Sequence, residues 1–375
     1  MKQAITKITI ALVIILTLNY SSLFGQINGS NMPGDSTKTV QAAPTPPAPV
    51  TMLTFPVISN ICKITLSSYA QARYQYYTDK VTPNNFDIRN ARLIFNGTPF
   101  RNLAYRLQVD FAPPTVRLMD AYASYTINQF AKLTAGQQKV PLSYESLRTD
   151  YDVHSISRSQ VVEALTARSK DVIAGSPAVN NNGRDIGFLY SGGLARVSSD
   201  PKSNVVEYSL GIFNGNGINK NDADKHKDIA GRVVVYPVKQ LSLGGSFYTG
   251  KATYGLDLKK PKDRNRFGFD ANYNGNRFLL SAEFLQGTDS VTTKNGYYGQ
   301  AESFIVPKKF AALVKYDHYD PNTDKSDDAS TIYSVALNYY FAAFTKIQLQ
   351  YDFRHENAPT QKNNDLVSVQ VQIFF

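Results

Sequence analysis

From residue 62 to the C-terminus, apolar and polar side chains alternate with a period of two. The last segment is the cleanest: Val367, Val369, Val371, Ile373 and Phe375 alternate with Ser368, Gln370 and Gln372. One segment earlier, Ile347, Leu349, Tyr351 and Phe353 alternate with Lys346, Gln348, Gln350, Asp352 and Arg354. Nearer the start, Leu103, Tyr105, Leu107, Val109 and Phe111 alternate with Asn102, Ala104, Arg106, Gln108 and Asp110. Successive side chains on a strand point to opposite faces, so each segment is a strand with one apolar and one polar face. A soluble sandwich alternates in the same way with its apolar face inward, so one strand decides nothing.

Number and spacing decide more. The pattern predicts strands over 62–77, 86–97, 102–111, 116–127, 131–138, 183–193, 204–213, 227–237, 241–249, 264–273, 277–287, 296–305, 310–319, 330–341, 345–355 and 365–375. That is about sixteen, an even number, with lengths near the ~9–11 residues that cross a bilayer at a tilt. Connections alternate between short ones, such as 98–101, 238–240 and 307–309, and long polar ones, such as 214–226, 250–263 and 320–329. Short periplasmic turns alternating with longer outer loops mark a transmembrane antiparallel β-barrel. Residues 194–203 break the rule, being long where a periplasmic turn is expected. Tyr74, Tyr76, Tyr77, Tyr297, Tyr298, Tyr339, Tyr340 and Phe341 fall at strand ends, where aromatic girdles belong. On the last strand Val371 is expected to face lipid and Gln370 the lumen, so that arginine is tolerated at 370 and not at 371.

The N-terminus reads differently. Lys2 and Lys7 precede an apolar run over 8–18, and Gly25 offers a small residue for cleavage, so 1–25 is expected to be a signal peptide. The run is too short for a spanning helix, and no cysteine follows it for lipid attachment. Residues 26–61 contain Ala42-Ala43-Pro44-Thr45-Pro46-Pro47-Ala48-Pro49 and are expected to be an extended tether, too short for the plug of an active transporter. The barrel then occupies 62–375. Composition agrees: 24 Tyr and 21 Phe without Trp, and a mean hydropathy of −0.29, exclude a bundle of apolar membrane helices. A single cysteine excludes a disulfide framework and a cysteine-based metal site. Loss of the two signal-peptide lysines lowers the net charge from +10 to +8.

Several phrases carry a family resemblance. They are Arg89-Asn90-Ala91-Arg92-Leu93-Ile94-Phe95-Asn96-Gly97, Leu118-Met119-Asp120-Ala121-Tyr122, Ala135-Gly136-Gln137-Gln138-Lys139-Val140-Pro141-Leu142-Ser143-Tyr144-Glu145, Gly183-Arg184-Asp185-Ile186-Gly187 and Gly211-Ile212-Phe213-Asn214-Gly215-Asn216-Gly217. In this order the chain resembles the phosphate-selective porins O and P, in the form found in Bacteroidetes-like sequences, over roughly 62–375. The resemblance implies a sixteen-stranded barrel, usually a homotrimer, whose third outer loop folds into the pore. It does not assign the family's binding-site lysines to positions here.

Enzymatic readings fail on their motifs. Ser191-Gly192-Gly193 lacks the frame of a nucleophile elbow. Asn214-Gly215-Asn216-Gly217 is not followed by a helix pattern and reads as a strand-ending turn. Asp320 to Asp324 begins like a calcium loop, but Lys325 stands where its glycine belongs and Thr331 where its final Glu belongs. No cofactor, metal or nucleic-acid partner is expected. If the apolar faces meet lipid, the opposite faces place Arg73, Arg92, Arg106, Lys132, Arg232, Arg266, Lys315, Lys346 and Arg354 on the pore wall. Asp110, Asp120, Asp185, Glu207, Asp270, Glu283, Glu302, Asp317 and Asp352 balance them. The longest connection, 139–183, is the third outer one and carries Lys139, Arg148, Arg158, Arg168 and Lys170. A short helix is expected within 159–170, with Arg158, Arg168 and Lys170 displaying cations at a constriction. The reading is an outer-membrane porin through which small hydrophilic solutes diffuse passively, anions such as phosphate being favoured. A plugged or narrow barrel that binds partners at its surface is the competing reading; a secreted soluble β-protein is the third.

Overall fold

The computed structural model describes residues 63–79, 81–175, 177–197, 200–222, 224–255, 260–357 and 363–375. The expected signal peptide, the tether and Cys62 lie outside the described residues. Sixteen strands follow one another: β1 (Lys63–Tyr77), β2 (Asn85–Phe100), β3 (Leu103–Asp110), β4 (Arg117–Asn128), β5 (Ala131–Lys139), β6 (Arg184–Val197), β7 (Asp200–Phe213) and β8 (Asp228–Val238). The second half holds β9 (Leu241–Ala252), β10 (Lys262–Asn274), β11 (Phe278–Asp289), β12 (Thr292–Val306), β13 (Phe310–Asp320), β14 (Ser330–Tyr340), β15 (Lys346–Glu356) and β16 (Leu366–Phe374). Each pairs antiparallel with its neighbours in the chain, and β1 pairs with β16 to close the barrel. The closure runs to the last residue, since Ser68 and Phe375 exchange backbone hydrogen bonds of 2.6 and 2.9 Å.

Burial separates the membrane reading from the soluble one. On β16, Val371 and Ile373 are 42% and 52% exposed, whereas Gln370 and Gln372 are buried at 1% and 0%. Leu349 on β15, Leu243 on β9 and Phe269 on β10 are exposed as well, while Gln350, Asp270 and Arg266 are buried. Apolar side chains outside and polar ones inside invert a soluble core and match a barrel in lipid. No described helix is long and apolar enough to cross a membrane.

Three local details differ from the pattern-based expectation. Strands β6 and β7 run on to Val197 and back from Asp200, so the long connection expected at 194–203 is mostly strand. Adjacent aromatics cannot share a face. Tyr76, Tyr297, Tyr339 and Phe341 do face outward, but their neighbours turn in. Tyr298 is 2% exposed, Tyr340 donates a hydrogen bond to Glu302 Oε1 at 3.0 Å, and Arg354 lies over the Tyr77 ring. A bulge on β2 pairs Gln71 with Asn90 and Ala72 with Ile88, leaving Arg89 as the extra residue. Bulges re-aim side chains, and here Arg89 and Asn90 both reach inward.

Gln370 is also not a tolerant position. Its Nε2 donates to Gln348 Oε1 at 3.0 Å and its Oε1 accepts from Arg89 at 3.3 Å, deep inside the barrel. Val371→Arg is predicted to lower unfolding stability by ~2–4 kcal/mol, and Gln370→Arg also destabilises because it sets a second guanidinium against Arg89. Urea unfolding in lipid vesicles checks this, with Val371→Leu as the neutral control. If Val371→Arg is as stable as Val371→Leu, the outward assignment of β16 is wrong.

Candidate functional site

The connection between β5 and β6, residues 140–183, is built from short turns with charged ends. Helix α1 (Tyr144–Leu147) starts at Ser143, which sits at φ 69° and whose Oγ accepts from Ser146 N at 3.1 Å. At its other end Lys139 Nζ donates to the carbonyls of Ser146, Leu147 and Arg148 at 2.9, 3.0 and 2.6 Å, answering the unpaired acceptors of the last turn. Helix α2 (Gln160–Leu165) presents Val161, Val162, Ala164 and Leu165 to Leu285 and Tyr298 on the wall. Asp171 anchors the segment's second half. It accepts from Ala167 N at 2.8 Å and pairs with Arg264 of β10 at 2.8 Å.

The segment's remaining polar groups meet inward-facing side chains on many strands. Glu283 of β11 accepts from Tyr144 N at 2.9 Å, and Asp317 of β13 accepts from Gln160 N at 2.9 Å. Lys346 and Gln348 of β15 donate to the Val153 and His154 carbonyls at 2.7 and 2.8 Å. Gln71 of β1 and Gln372 of β16 donate to the carbonyls of Asp150 and Tyr151 at 3.1 and 2.9 Å. Arg92 of β2 pairs with Asp150 at 2.7 Å and with Asp110 at 2.8 Å. A second apolar patch, Val140 and Leu142 against Phe213, Ala230 and Tyr248, fills the side toward β7, β8 and β9. Every strand contributes at least one buried inward side chain, from Gln71 on β1 through Tyr248 on β9 to Gln370 on β16.

Two cavities lie on opposite sides of this packing. One of about 450 Å³ near the short turns is lined by Lys132, Leu147, Glu207 and Arg232. The other, of about 860 Å³ at the long loops, is lined by Lys170, Asn216, Lys220 and Tyr254.

The expected site residues distribute unevenly over this layout. Lys132 and Lys170 are exposed to the two cavities. Arg148 is partly exposed, with hydrogen bonds to Tyr144 Oη at 2.7 Å and an ion pair to Asp152 at 2.9 Å. Arg106, also partly exposed, pairs with Asp120 at 3.0 Å, and Arg73 pairs with Asp87 at 2.5 Å. Arg354 lies inside near the outer rim, over the Tyr77 ring. Arg232 pairs with Asp270 at 2.6 Å, Arg266 with Asp289 at 2.6 Å, and Lys315 with Glu145 at 3.5 Å. Arg158 and Arg168 do not present their charge to open space. They are 5% and 1% exposed; Arg158 grips Asp150 at 2.7 Å, and Arg168 reaches the Ser146 carbonyl at 3.3 Å and Glu163 at 3.7 Å. Lys139 is likewise taken up by carbonyls. The expectation of a displayed cation cluster at Arg158 and Arg168 is therefore corrected: a guanidinium with so many acceptors nearby is drawn into the packing.

Sequence reasoning missed Arg89, Arg184, Asp150 and Asp120 as a connected group. Arg184 pairs with Asp120 at 2.6 Å, which Arg106 also contacts, and Arg89 donates to the Ile156 carbonyl and to Gln370, with no carboxylate ion pair among the described residues. The available signal was the charge density of the quoted phrases around 89–92, 120 and 183–185. Burial opposes the charged form of Asp150, but Arg92 and Arg158, with Arg168 and Arg89 beyond, outweigh it and hold its carboxyl well below the usual range. Burial likewise opposes Asp171, and Arg264 and Arg266 overrule it downward.

The model of the family described as phosphate-selective porin O and P matches residues 65–257, more than half of the chain. The chain belongs to the phosphate-selective porin O and P family. Among solved structures it is similar in fold to OmpF of Salmonella typhi in complex with daunomycin, at a TM-score of 0.64 and 11% identity, covering 84% of this chain and 99% of that one. The channel DcaP of Acinetobacter baumannii has a TM-score of 0.60 at 12% identity, covering 84% and 97%. OmpT of Vibrio cholerae has 0.59 at 12%, covering 87% and 100%. None of the curated proteins matches the chain in sequence. The protein is an outer-membrane channel for small solutes.

The depressed carboxyls give a signed prediction. A carboxylate whose folded pKa is lowered stabilises fully above its ordinary value of about 4 and loses that contribution only as pH falls through the depressed value. Residues 143–172 of this porin should be no less protected from hydrogen exchange, corrected for intrinsic rates, at pH 5 than at pH 7. Asp150→Asn should loosen them at both, since breaking a buried pair costs about 3–5 kcal/mol. Opening of the wild-type segment between pH 6 and 5 would contradict the pairing.

Proposed function

We propose that segment 140–183 forms the constriction of the pore and that the passage favours small anions, phosphate among them. One observation carries the reading: carboxylates in the packed layer are shared between arginines. Asp150 serves Arg92 and Arg158, and Asp120 serves Arg106 and Arg184. Six arginines, Arg89, Arg92, Arg106, Arg158, Arg168 and Arg184, neighbour five carboxylates, Asp110, Asp120, Asp150, Glu163 and Glu145, the last also paired with Lys315. The excess lies on the side of β2, β3 and β6. Across the barrel, Glu283 and Asp352 are held by backbone N–H groups or by hydroxyl and amide donors. In a narrow, poorly screened passage such an excess draws anions and repels cations. The family's description supports phosphate as a member of the favoured class. A homotrimer is supported by the trimer form of Vibrio cholerae OmpT.

The ring of buried inward side chains also favours a second reading, a barrel plugged by the segment that meets partners through its outer loops. Reversal potentials across a potassium chloride gradient separate the two. Arg89→Gln with Arg106→Gln, both partly exposed, should shift the potential toward cation preference, whereas Lys239→Gln in a short turn should not. A silent bilayer favours the plugged barrel, and persistent conductance with an unmoved potential removes the anion filter. Charge reversal at Arg158 or Arg168 is the wrong probe, because it unpacks the segment.

A further inference from the structure

The lipid-facing wall is not uniformly covered by large side chains. Between β10 and β14 a depression of about 600 Å³ opens on the outside of the barrel. Its floor is small because cross-strand partners are small together: Ala271 pairs with Ala282, Ala282 with Gly299, and Ala301 with Val314. At Gly299 an added Cβ would meet nothing within 4 Å. Tyr273 and Leu280, both exposed, rim the lower end, and the paired rings of Tyr316 and Tyr333, 5.2 Å apart, rim the upper end.

The depression rises from Tyr273, one residue from the end of β10, to Tyr333, seven residues from the end of β14. It therefore starts at the short turns, the periplasmic side, and its upper rim at Tyr316 and Tyr333 reaches just past the middle of β13 and β14. Four strand spacings of ~4.8 Å at a tilt of ~45° rise about 14 Å, close to one leaflet of a ~30 Å hydrocarbon core. Directly beneath are the turns 239–240, 275–277 and 307–309, which carry Lys239, Arg277, Lys308 and Lys309, all exposed, and no acidic residue. Of the other described short turns, 129–130 and 341–345 carry no charge and 101–102 carries Arg101 alone.

The geometry points to a binding site for one anionic phospholipid of the periplasmic leaflet, an acyl chain lying on the Ala/Gly floor and the phosphate meeting the turn cations. Charge complementarity at the rim selects this occupant over a zwitterionic lipid, whose ammonium group offsets its phosphate in front of the four cations. The site is continuous with the apolar belt, so no polar group loses water when the chain seats.

Native mass spectrometry of the full-length, delipidated protein tests the site with added dimyristoylphosphatidylglycerol or dimyristoylphosphatidylcholine. The wild type should retain the glycerol lipid in preference. Arg277→Gln, Lys308→Gln and Lys309→Gln together should erase that preference, and Gly299→Leu with Ala301→Leu should abolish retention of both lipids. Heat-modifiable gel mobility establishes that each variant is folded; Ala282→Leu fills the same floor should the double variant fail to fold. Equal retention of the two lipids by the wild type overturns the proposal. So does a filled floor that keeps its lipid, and so does a filled floor that keeps its lipid but splits oligomers, which would make the depression a contact between copies.

Discussion

Hydrocarbon offers a strand edge no hydrogen-bond partner, and the rest of the structure follows from that. An open edge in lipid leaves a row of backbone N–H and C=O groups unpaired at several kcal/mol each, so β1 must find β16. Once the sheet closes, the period of two has a single allowed phase. Val371 goes to lipid and Gln370 inward, and a shift of one residue would expose the whole polar set to hydrocarbon. The same constraint accounts for the pairing of Phe375, whose backbone extends the ladder with Ser68.

Closure creates a second problem, because sixteen strands enclose a lumen too wide for side chains to fill. Gln71, Gln348, Gln350 and Gln372 are long amides whose ordinary partner would be water, yet they are almost fully buried. The 140–183 segment supplies the missing acceptors and donors with its own backbone, through the carbonyls of Asp150, Tyr151 and His154 and the N–H of Ile156. An irregular backbone is tolerated at membrane depth only inside protein or a wet cavity. Wall and segment each satisfy what the other leaves open, and so neither is independent of the other.

The strands were legible in the sequence because the lipid constraint acts on every residue. Their ends were less so: β6 and β7 extend past the position where apolar alternation fades, since backbone pairing continues without it. Runs of adjacent tyrosines misled for a related reason. Composition at a strand end does not encode phase, whereas the pairing of Tyr298 inward and Tyr297 outward does. The segment's span was legible from spacing, and its helix was anticipated about Gln160–Leu165. The side-chain roles of Arg158 and Arg168 were not. Counting charges along a loop cannot tell an arginine that faces water from one drawn into contact with Asp150, because that depends on folding the loop back over residues 145–150.

Burial of those arginines does not remove their influence on a passing ion. A carboxylate shared by two guanidiniums cancels one charge and leaves the other, and in a dry layer that remainder is weakly screened. The sharing of Asp120 by Arg106 and Arg184 keeps both cations ordered and leaves one positive charge over, whereas Asp110 and Asp150 together balance Arg92 and Arg158. A free lysine at the rim, such as Lys170, carries the same formal charge but sits in water, where its field decays within about 10 Å at moderate salt. Order and residual charge come from one arrangement. On the proposed reading, anion preference therefore rests on paired arginines inside the layer, and the exposed lysines act chiefly on the rate at which ions reach it.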